Sequence, residues 1–379
     1  MGDAFRPDCT DALSAIIANA ARDGTRLRLR GGGSKDTIGA PSPEARIVDM
    51  RGFAGVVDYD PAELVLTVKA GTPLAEIQTL VADKGQMLAF DPFDHGAALG
   101  GVDGDATIGG IVTAGVAGPT RVSRGAARDH LLGFVAVSGR GERFVAGAKV
   151  VKNVTGYDLP KLVTGSWGRL AAITELTLKV LPAPRVRLTL GVSGLDPKTA
   201  VAAMARAMGS AADVSAAAHL PAWNGVTLTI LRLDGFASSV EARAAIVTRL
   251  IGGITPMADE EATTLWSAIA TAAPLAGDAP LWRIIVPAAR APALIDTLGN
   301  RDWLLDWAGG LLWMASADAP HAIRTAVAAV GGHAMLIRAD AATRAATPAL
   351  HPQPAALAAL EERVRRAFDP AGVFETGRF

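Results

Sequence analysis

The rhythm of hydrophobic and polar positions changes along the chain, and those changes divide it. Residues 11–22 have the length and alanine content of a helix, with Thr10 placed to cap it. Arg26 to Arg30 alternate basic and apolar side chains, the period of a half-buried strand. Gly31-Gly32-Gly33-Ser34 then ends any regular element. Asp60-Pro61-Ala62-Glu63 predicts a turn between strands at 55–59 and 64–70. A helical pattern returns over 74–84, and Gly85 suits the position just past its end. Strands are expected at 131–137 and 143–151, and a short helix at 159–162. Ile173 to Val180 read as a clean alternating strand, and Pro182 and Pro184 mark a border after it.

Beyond that border the texture differs. Strands at 186–192, 226–232, 282–286 and 311–316 alternate with helical runs at 197–208, 238–250, 260–272, 289–298 and 319–330. This is an α+β pattern with antiparallel pairing. Six of the 7 tryptophans lie between 223 and 313, where a core or an interface is their usual use. A last helix at about 355–368 leads into Phe368-Asp369-Pro370.

Composition narrows the classes. A chain of 379 residues exceeds one ordinary core, so two domains are expected. Lys plus Arg and Asp plus Glu both number 37, leaving no basic excess for nucleic acid. Cys9 is the only cysteine. It cannot form an internal disulfide, a cysteine zinc site or an iron–sulfur cluster, and it suits a reducing compartment. No apolar run is long enough to span a bilayer, and the N-terminus lacks a signal-peptide core. The expectation is a cytoplasmic chain, held at a membrane only through partners.

Three segments carry candidate chemistry. In Arg30-Gly31-Gly32-Gly33-Ser34-Lys35-Asp36 a strand runs into bare backbone, a hydroxyl and an ammonium, a natural receptor for a diphosphate. It matches neither a Walker loop nor a full Rossmann fingerprint, and taken alone it reads equally as a glycine-rich turn. From Asp105 to Gly118 small residues recur so densely that either a flat ligand or a tight loop lies against the backbone. The third segment runs from Val151 to Leu162, then through Gly165-Ser166-Trp167-Gly168 into the Ile173 strand.

In this order and spacing the segments resemble the FAD-binding domain of the vanillyl-alcohol oxidase/PCMH superfamily, and within it the FAD-binding subunits of bacterial glycolate oxidases. Arg124 to Gly133, Leu281-Trp282-Arg283, Asp306 to Gly310, Gly331 to Ala334 and Phe368 to Phe374 extend the resemblance. It implies a PCMH-type domain of two α+β subdomains over 1–182. A smaller α+β cap with an antiparallel sheet follows over 183–354, and 355–379 return to the first domain. It also implies FAD held by Arg30, Gly31, Gly32, Gly33, Ser34, Lys35, Asp91, Pro92, Ala106, Thr107, Gly109, Gly110, Thr113, Ala114, Gly118, Gly165, Ile173 and Thr174. The implied partners are a small 2-hydroxyacid substrate, a sister flavoprotein subunit and an iron–sulfur subunit.

Two departures matter. Covalent relatives anchor the flavin through a histidine near the first loop, but no histidine occurs here before His95, so dissociable FAD is expected. Catalytic relatives carry a metal-binding histidine pair where this chain reads Trp307 to Trp313, so no metal is expected. Glu375-Thr376-Gly377-Arg378 also replaces the family's usual C-terminal motif. Oxidising a 2-hydroxy acid needs a cation for the carboxylate and a base for the hydroxyl proton. Arg283 is the candidate cation and His333 the candidate base, each weighed against an ordinary structural role. His95 and His130 are read as loop histidines.

Overall fold

The computed structural model describes residues 4–96, 99, 104–148, 156–299 and 302–379. The expected strand end at 149–151 and the Val151 to Thr155 part of the third segment lie outside them. Leu27–Arg30 and Arg46–Asp49 pair in parallel, which demands a long connection. The glycine loop lies in that connection. Helix Thr10–Asp23 packs Leu13 and Ile17 onto this pair, and Val373 and Phe374 from the chain's end complete the same core. Thr10 is the first helical residue rather than the cap; Cys9 holds the cap position without a side-chain hydrogen bond.

A five-stranded antiparallel sheet follows, in the order Val56–Asp60, Val65–Lys69, Ala171–Lys179, Leu131–Ser138, Arg143–Gly147. Asp60 makes the expected turn, its Oδ1 accepting from the amides of Ala62 (3.0 Å) and Glu63 (3.2 Å). The alternation read at 173–180 does not become alternating burial. Ala171–Lys179 is the middle strand and is buried along most of its length. Its threonines are satisfied across the sheet: Thr177 meets Thr67 at 3.1 Å, and Thr174 donates to the Val135 carbonyl at 3.2 Å. Leu74, Ile77, Ile108, Ile111 and Val112 fill the core beside this sheet.

The second region is an eight-stranded antiparallel sheet. Its order is Thr255–Pro256, Val186–Ser193, Val226–Gly235, Ala216–Trp223, Asp302–Asp306, Leu311–Ala315, Leu281–Ile285, His333–Arg338. Helices Pro197–Met208, Ala237–Leu250, Ala291–Leu298 and Pro320–Ala329 supply the core on one face, with Trp282 and Trp303. The other core gathers Trp266, Trp307 and Trp313 with Ile38, Leu99, Ala117 and Ala126 of the first region. The tryptophans therefore build both a core and an interface. Helix Ala355–Phe368 returns to the first region, where Val364 and Phe368 pack on the core of the five-stranded sheet.

Candidate functional site

The glycine loop and the 105–114 segment meet face to face. A side chain on Gly31 would overlap Thr107 Oγ1, and one on Gly32 would overlap the Asp105 carbonyl. Gly33 turns at φ +91°, and a side chain there would strike the Arg30 guanidinium. The glycines are thus needed for loop-to-loop contact as well as for open backbone. Asp36 fixes the far side of the turn, accepting from Arg30 Nε at 2.7 Å and from Arg28. Thr107 caps helix Ile108–Ala114, its Oγ1 accepting from the Gly110 amide at 3.4 Å. Gly109 lies against Ala70, where its amide donates to the Ala70 carbonyl at 2.8 Å.

Two adjoining clefts run along this junction. Arg30, Gly31, Thr107, Gly110, Thr113 and Trp167 line both. Gly32, Gly33, Ser34, Lys35 and Ala114 line the first, and Gly109 and Ile173 the second. Gly165 adjoins them, its amide donating to the Val112 carbonyl at 3.1 Å. A side chain on Gly110 would meet only Thr107, and one on Gly165 would meet nothing within 4 Å, so bare backbone faces open space at both.

The charge in the cleft is cationic and partly dehydrated. Burial pushes the Lys35 ammonium down to about 8; Asp94 opposes that shift and Arg378 adds to it. Its Nζ donates to Ser34 Oγ at 3.3 Å. Arg378 enters from the C-terminal tail, donating from Nε to the Ile38 carbonyl at 2.6 Å and from Nη2 to the Lys35 carbonyl. Burial, then Arg28, pushes it down to about 9. Bare backbone, a hydroxyl and two dehydrated cations fit a diphosphate.

Arg378 and Trp167 were not among the sequence candidates. Both stood in segments already noted, Glu375 to Arg378 and Gly165 to Gly168, but nothing local revealed that the tail folds over the loop. Phe379 packs on Trp167, ring centroids 4.8 Å apart, and Trp167 itself turns at φ +57°. Glu375 is structural, paired with Arg365 at 2.8 Å and Arg169 at 3.8 Å.

Other candidates go elsewhere. Ala106 and Thr174 are buried in packing, with their backbones tied to Leu74 and Ala70. Asp91, at φ +48°, accepts from Thr120 (2.9 Å) and Arg232 (2.8 Å), joining the two regions. Asp91 and Pro92 line a separate, wider groove beside Phe93 and Trp266. The Gly118 carbonyl accepts from Trp307 Nε1 at 3.0 Å.

At the interface, Arg283 lies on Leu281–Ile285, opposite Trp313 on one neighbour and Met335 on the other. Its guanidinium stands over the Trp307 ring at 5.0 Å, and that of Arg121 stands over the same ring at 4.6 Å. Burial, reinforced by Arg121, pushes Arg283 down to about 10. Burial pushes Asp306 up to about 7 against the bond it accepts from the Trp307 amide at 2.7 Å. His95 is a buried loop residue, stacked on Phe93 at 4.5 Å. Burial holds it well below the usual imidazole range, and the charges of Lys35 and Arg283 add to this. His130 is likewise buried, Nε2 lying 2.8 Å from the Arg124 carbonyl, but on the short helix Ala127–His130 rather than in a loop. His333 pairs with Ile285, two positions from Arg283 on the same face, and is exposed, its ring 5.9 Å from His351. It lines neither glycine cleft.

Comparison with known proteins agrees with this architecture. Residues 4–147 match the family described as FAD binding domain. Glycolate oxidase subunit GlcE of Escherichia coli (strain K12) is 33% identical over 98% of this chain and 97% of its own length. Glycolate oxidase subunit GlcD of Bacillus subtilis (strain 168) is 28% identical over 48% of this chain and 38% of its own. D-lactate dehydrogenase of Archaeoglobus fulgidus is 29% identical over 49% of this chain and 40% of its own. In fold, a solved alkyldihydroxyacetonephosphate synthase superposes with a TM-score of 0.67 over 97% of this chain and 75% of its own, at 15% identity. The chain therefore belongs to the glycolate oxidase subunit GlcE family, FAD-dependent oxidoreductases whose FAD-binding domain has the PCMH fold.

Proposed function

We propose that this chain is the FAD-binding subunit of a complex that oxidises small 2-hydroxy acids, glycolate foremost, and passes electrons through FAD to an iron–sulfur subunit. A sister flavoprotein completes the assembly in this reading. The observation that carries it is the glycine-lined cleft with Lys35 and Arg378 at its rim, in a chain alike along nearly its whole length to a glycolate oxidase subunit.

Gly31 to Gly33, Ser34, Lys35 and Arg378 would hold the diphosphate, and Thr107, Gly109, Gly110, Thr113, Ala114 and Ile173 the rest of the dinucleotide. FAD supplies the hydride acceptor when bound. Arg283 orients the substrate carboxylate. With no histidine before His95, the cofactor is dissociable, so acid precipitation leaves the pigment in the supernatant. We infer division into 1–182, 183–354 and 355–379. No helix among the described residues is long and apolar enough to cross a membrane, which supports a cytoplasmic chain that reaches any membrane through its partners.

A second reading has this subunit bind FAD only to relay electrons. The exposure of His333 favours it, because a base working on a carbinol proton belongs out of bulk water. Anaerobic glycolate added to the flavin-loaded chain separates the two. Prompt bleaching of the flavin sinks the relay reading. No bleaching, with bleaching restored by the sister subunit, sinks autonomous oxidation. His333→Ala in the assembled complex decides that residue's part: turnover reduced about a hundredfold keeps it as base, and unchanged turnover removes it.

A further inference from the structure

Four arginines meet where the two regions join, and two of them are accounted for. Arg124 pairs with Asp234, and Arg232 pairs with Asp91 at 2.8 Å. Arg121 and Arg283 are different. They come from opposite regions, one from the short helix Arg121–Arg124 and one from the strand Leu281–Ile285. Both lie over the ring of Trp307, and neither guanidinium has a hydrogen-bond acceptor or an ion pair among the described residues.

A ring face attracts a cation but accepts none of its N–H groups in the way an oxygen does. Both guanidinium groups are half-buried and keep N–H groups open to solvent. Two like charges held side by side repel, and an anion bound between them relieves that repulsion. Asp306 does not fill that part. It is almost fully buried, accepts from the Trp307 amide, and forms no ion pair with either guanidinium among the described residues; burial pushes its carboxyl upward, toward the neutral form. The backbone beneath the pair is itself held in a rare conformation: Trp307 and Ala308 take φ of +52° and +55° in succession. Such strain persists only where the surroundings impose it, and it gathers at working sites.

His95 stands within electrostatic reach of both the pair and the glycine cleft. It feels the charges of both Lys35, which lines the glycine cleft, and Arg283. It is 8% exposed, and its Nδ1 is buried with no partner among the described residues. Among the described residues, His95 Nδ1 and the guanidinium groups of Arg121 and Arg283 are thus three hydrogen-bonding groups without partners.

We infer that Arg121 and Arg283, set on Trp307, form a two-arginine receptor for the carboxylate of a compact organic acid, with His95 Nδ1 as a further hydrogen-bonding group beside it. This rests on the reading given under Proposed function and adds that the first region contributes a carboxylate-binding side chain of its own. Arg121 and Arg283 each supply a charge-assisted fork, so the site discriminates against the uncharged alcohol of the same size.

The test uses the flavin-loaded chain and oxalate, a two-carbon carboxylate with no hydrogen on carbon to give up. Binding is followed by calorimetry and by tryptophan fluorescence, which Trp307 reports independently of turnover. Saturable binding is expected, competed by glycolate and not by ethylene glycol. Arg121→Gln and Arg283→Gln should each weaken it roughly tenfold or more, with Arg121→Lys retaining part of the affinity. FAD affinity should stay within about twofold, since neither arginine lines the glycine cleft. No saturable oxalate binding by the flavin-loaded wild type overturns the receptor whatever the variants do, and so does undiminished binding in both glutamine variants. Failure of the wild type to bind FAD at all would instead strike the underlying reading.

Discussion

The glycine cleft and the arginine–tryptophan interface are built by opposite means. The cleft is made mostly of backbone: Gly31, Gly32 and Gly109 let two loops and a short helix touch, and Ser34, Lys35 and Arg378 add the polar side chains. The interface is made of side chains, with Arg121, Arg283 and Asp306 arriving from three elements and meeting at Trp307. A backbone-built site fails first to an added atom at its contacts and less steeply to a lost charge. A charge-built site keeps its shape under substitution and loses its preference.

Gly32→Ala should break the cleft most completely. The new methyl would overlap the Asp105 carbonyl, so the loop must move. We expect FAD affinity to fall by a hundredfold or more, about 3 kcal/mol, and the protein to purify colourless. A yellow protein with normal affinity would break the contrast drawn above.

Lys35→Met should cost about tenfold in FAD affinity at neutral pH, and its clearer signature is in pH. The diphosphate favours the charged ammonium, whose value in the free chain is about 8. Affinity should therefore decline as pH rises beyond 8, by roughly up to tenfold per unit, and the variant should lose this dependence. In the flavin-free chain the depressed value makes Lys35's contribution to stability greatest above its unfolded value of 10.5 and lost as pH falls through about 8. Fluorescence titration at pH 7, 8 and 9 checks the affinity.

Asp306→Asn probes the interface. Asp306 sits at about 7 in the folded chain against 3.8 unfolded, so its contribution to stability is full below the lower value and is lost as pH rises through the upper. The amide keeps an acceptor for the Trp307 N–H without the charge. Thermal melting should show a gain for the variant at pH 8 that disappears at pH 4; equal behaviour at both would mean that Asp306 is well solvated. The smallest effect is His333→Ala, expected within about 0.5 kcal/mol of wild-type stability because the side chain is exposed.

Local pattern carried much of the architecture. Helix Pro197–Met208 and helix Ala355–Phe368 fall where periodicity puts them. The strands Ala216–Trp223, Asp302–Asp306 and His333–Arg338 were not legible. Ala216–Trp223 begins with three alanines, which carry a helical preference, and only its pairing with Val226–Gly235 makes it a strand. The same limit applies to burial in Ala171–Lys179, where sequence shows alternation but position in the middle of the sheet buries most residues.

By itself the sequence determined the two textures of the chain, the glycine loop with Ser34 and Lys35, and the absence of an early histidine, because each depends on neighbours within a few residues. Tertiary structure alone decided that Arg378 closes over the loop from the far end of the chain, and that Asp91 bonds to Arg232 instead of facing the glycine cleft. It alone brought Arg121 to Arg283. Packing of the two regions sets those meetings, and charges separated by more than a hundred positions leave no periodic trace in the chain.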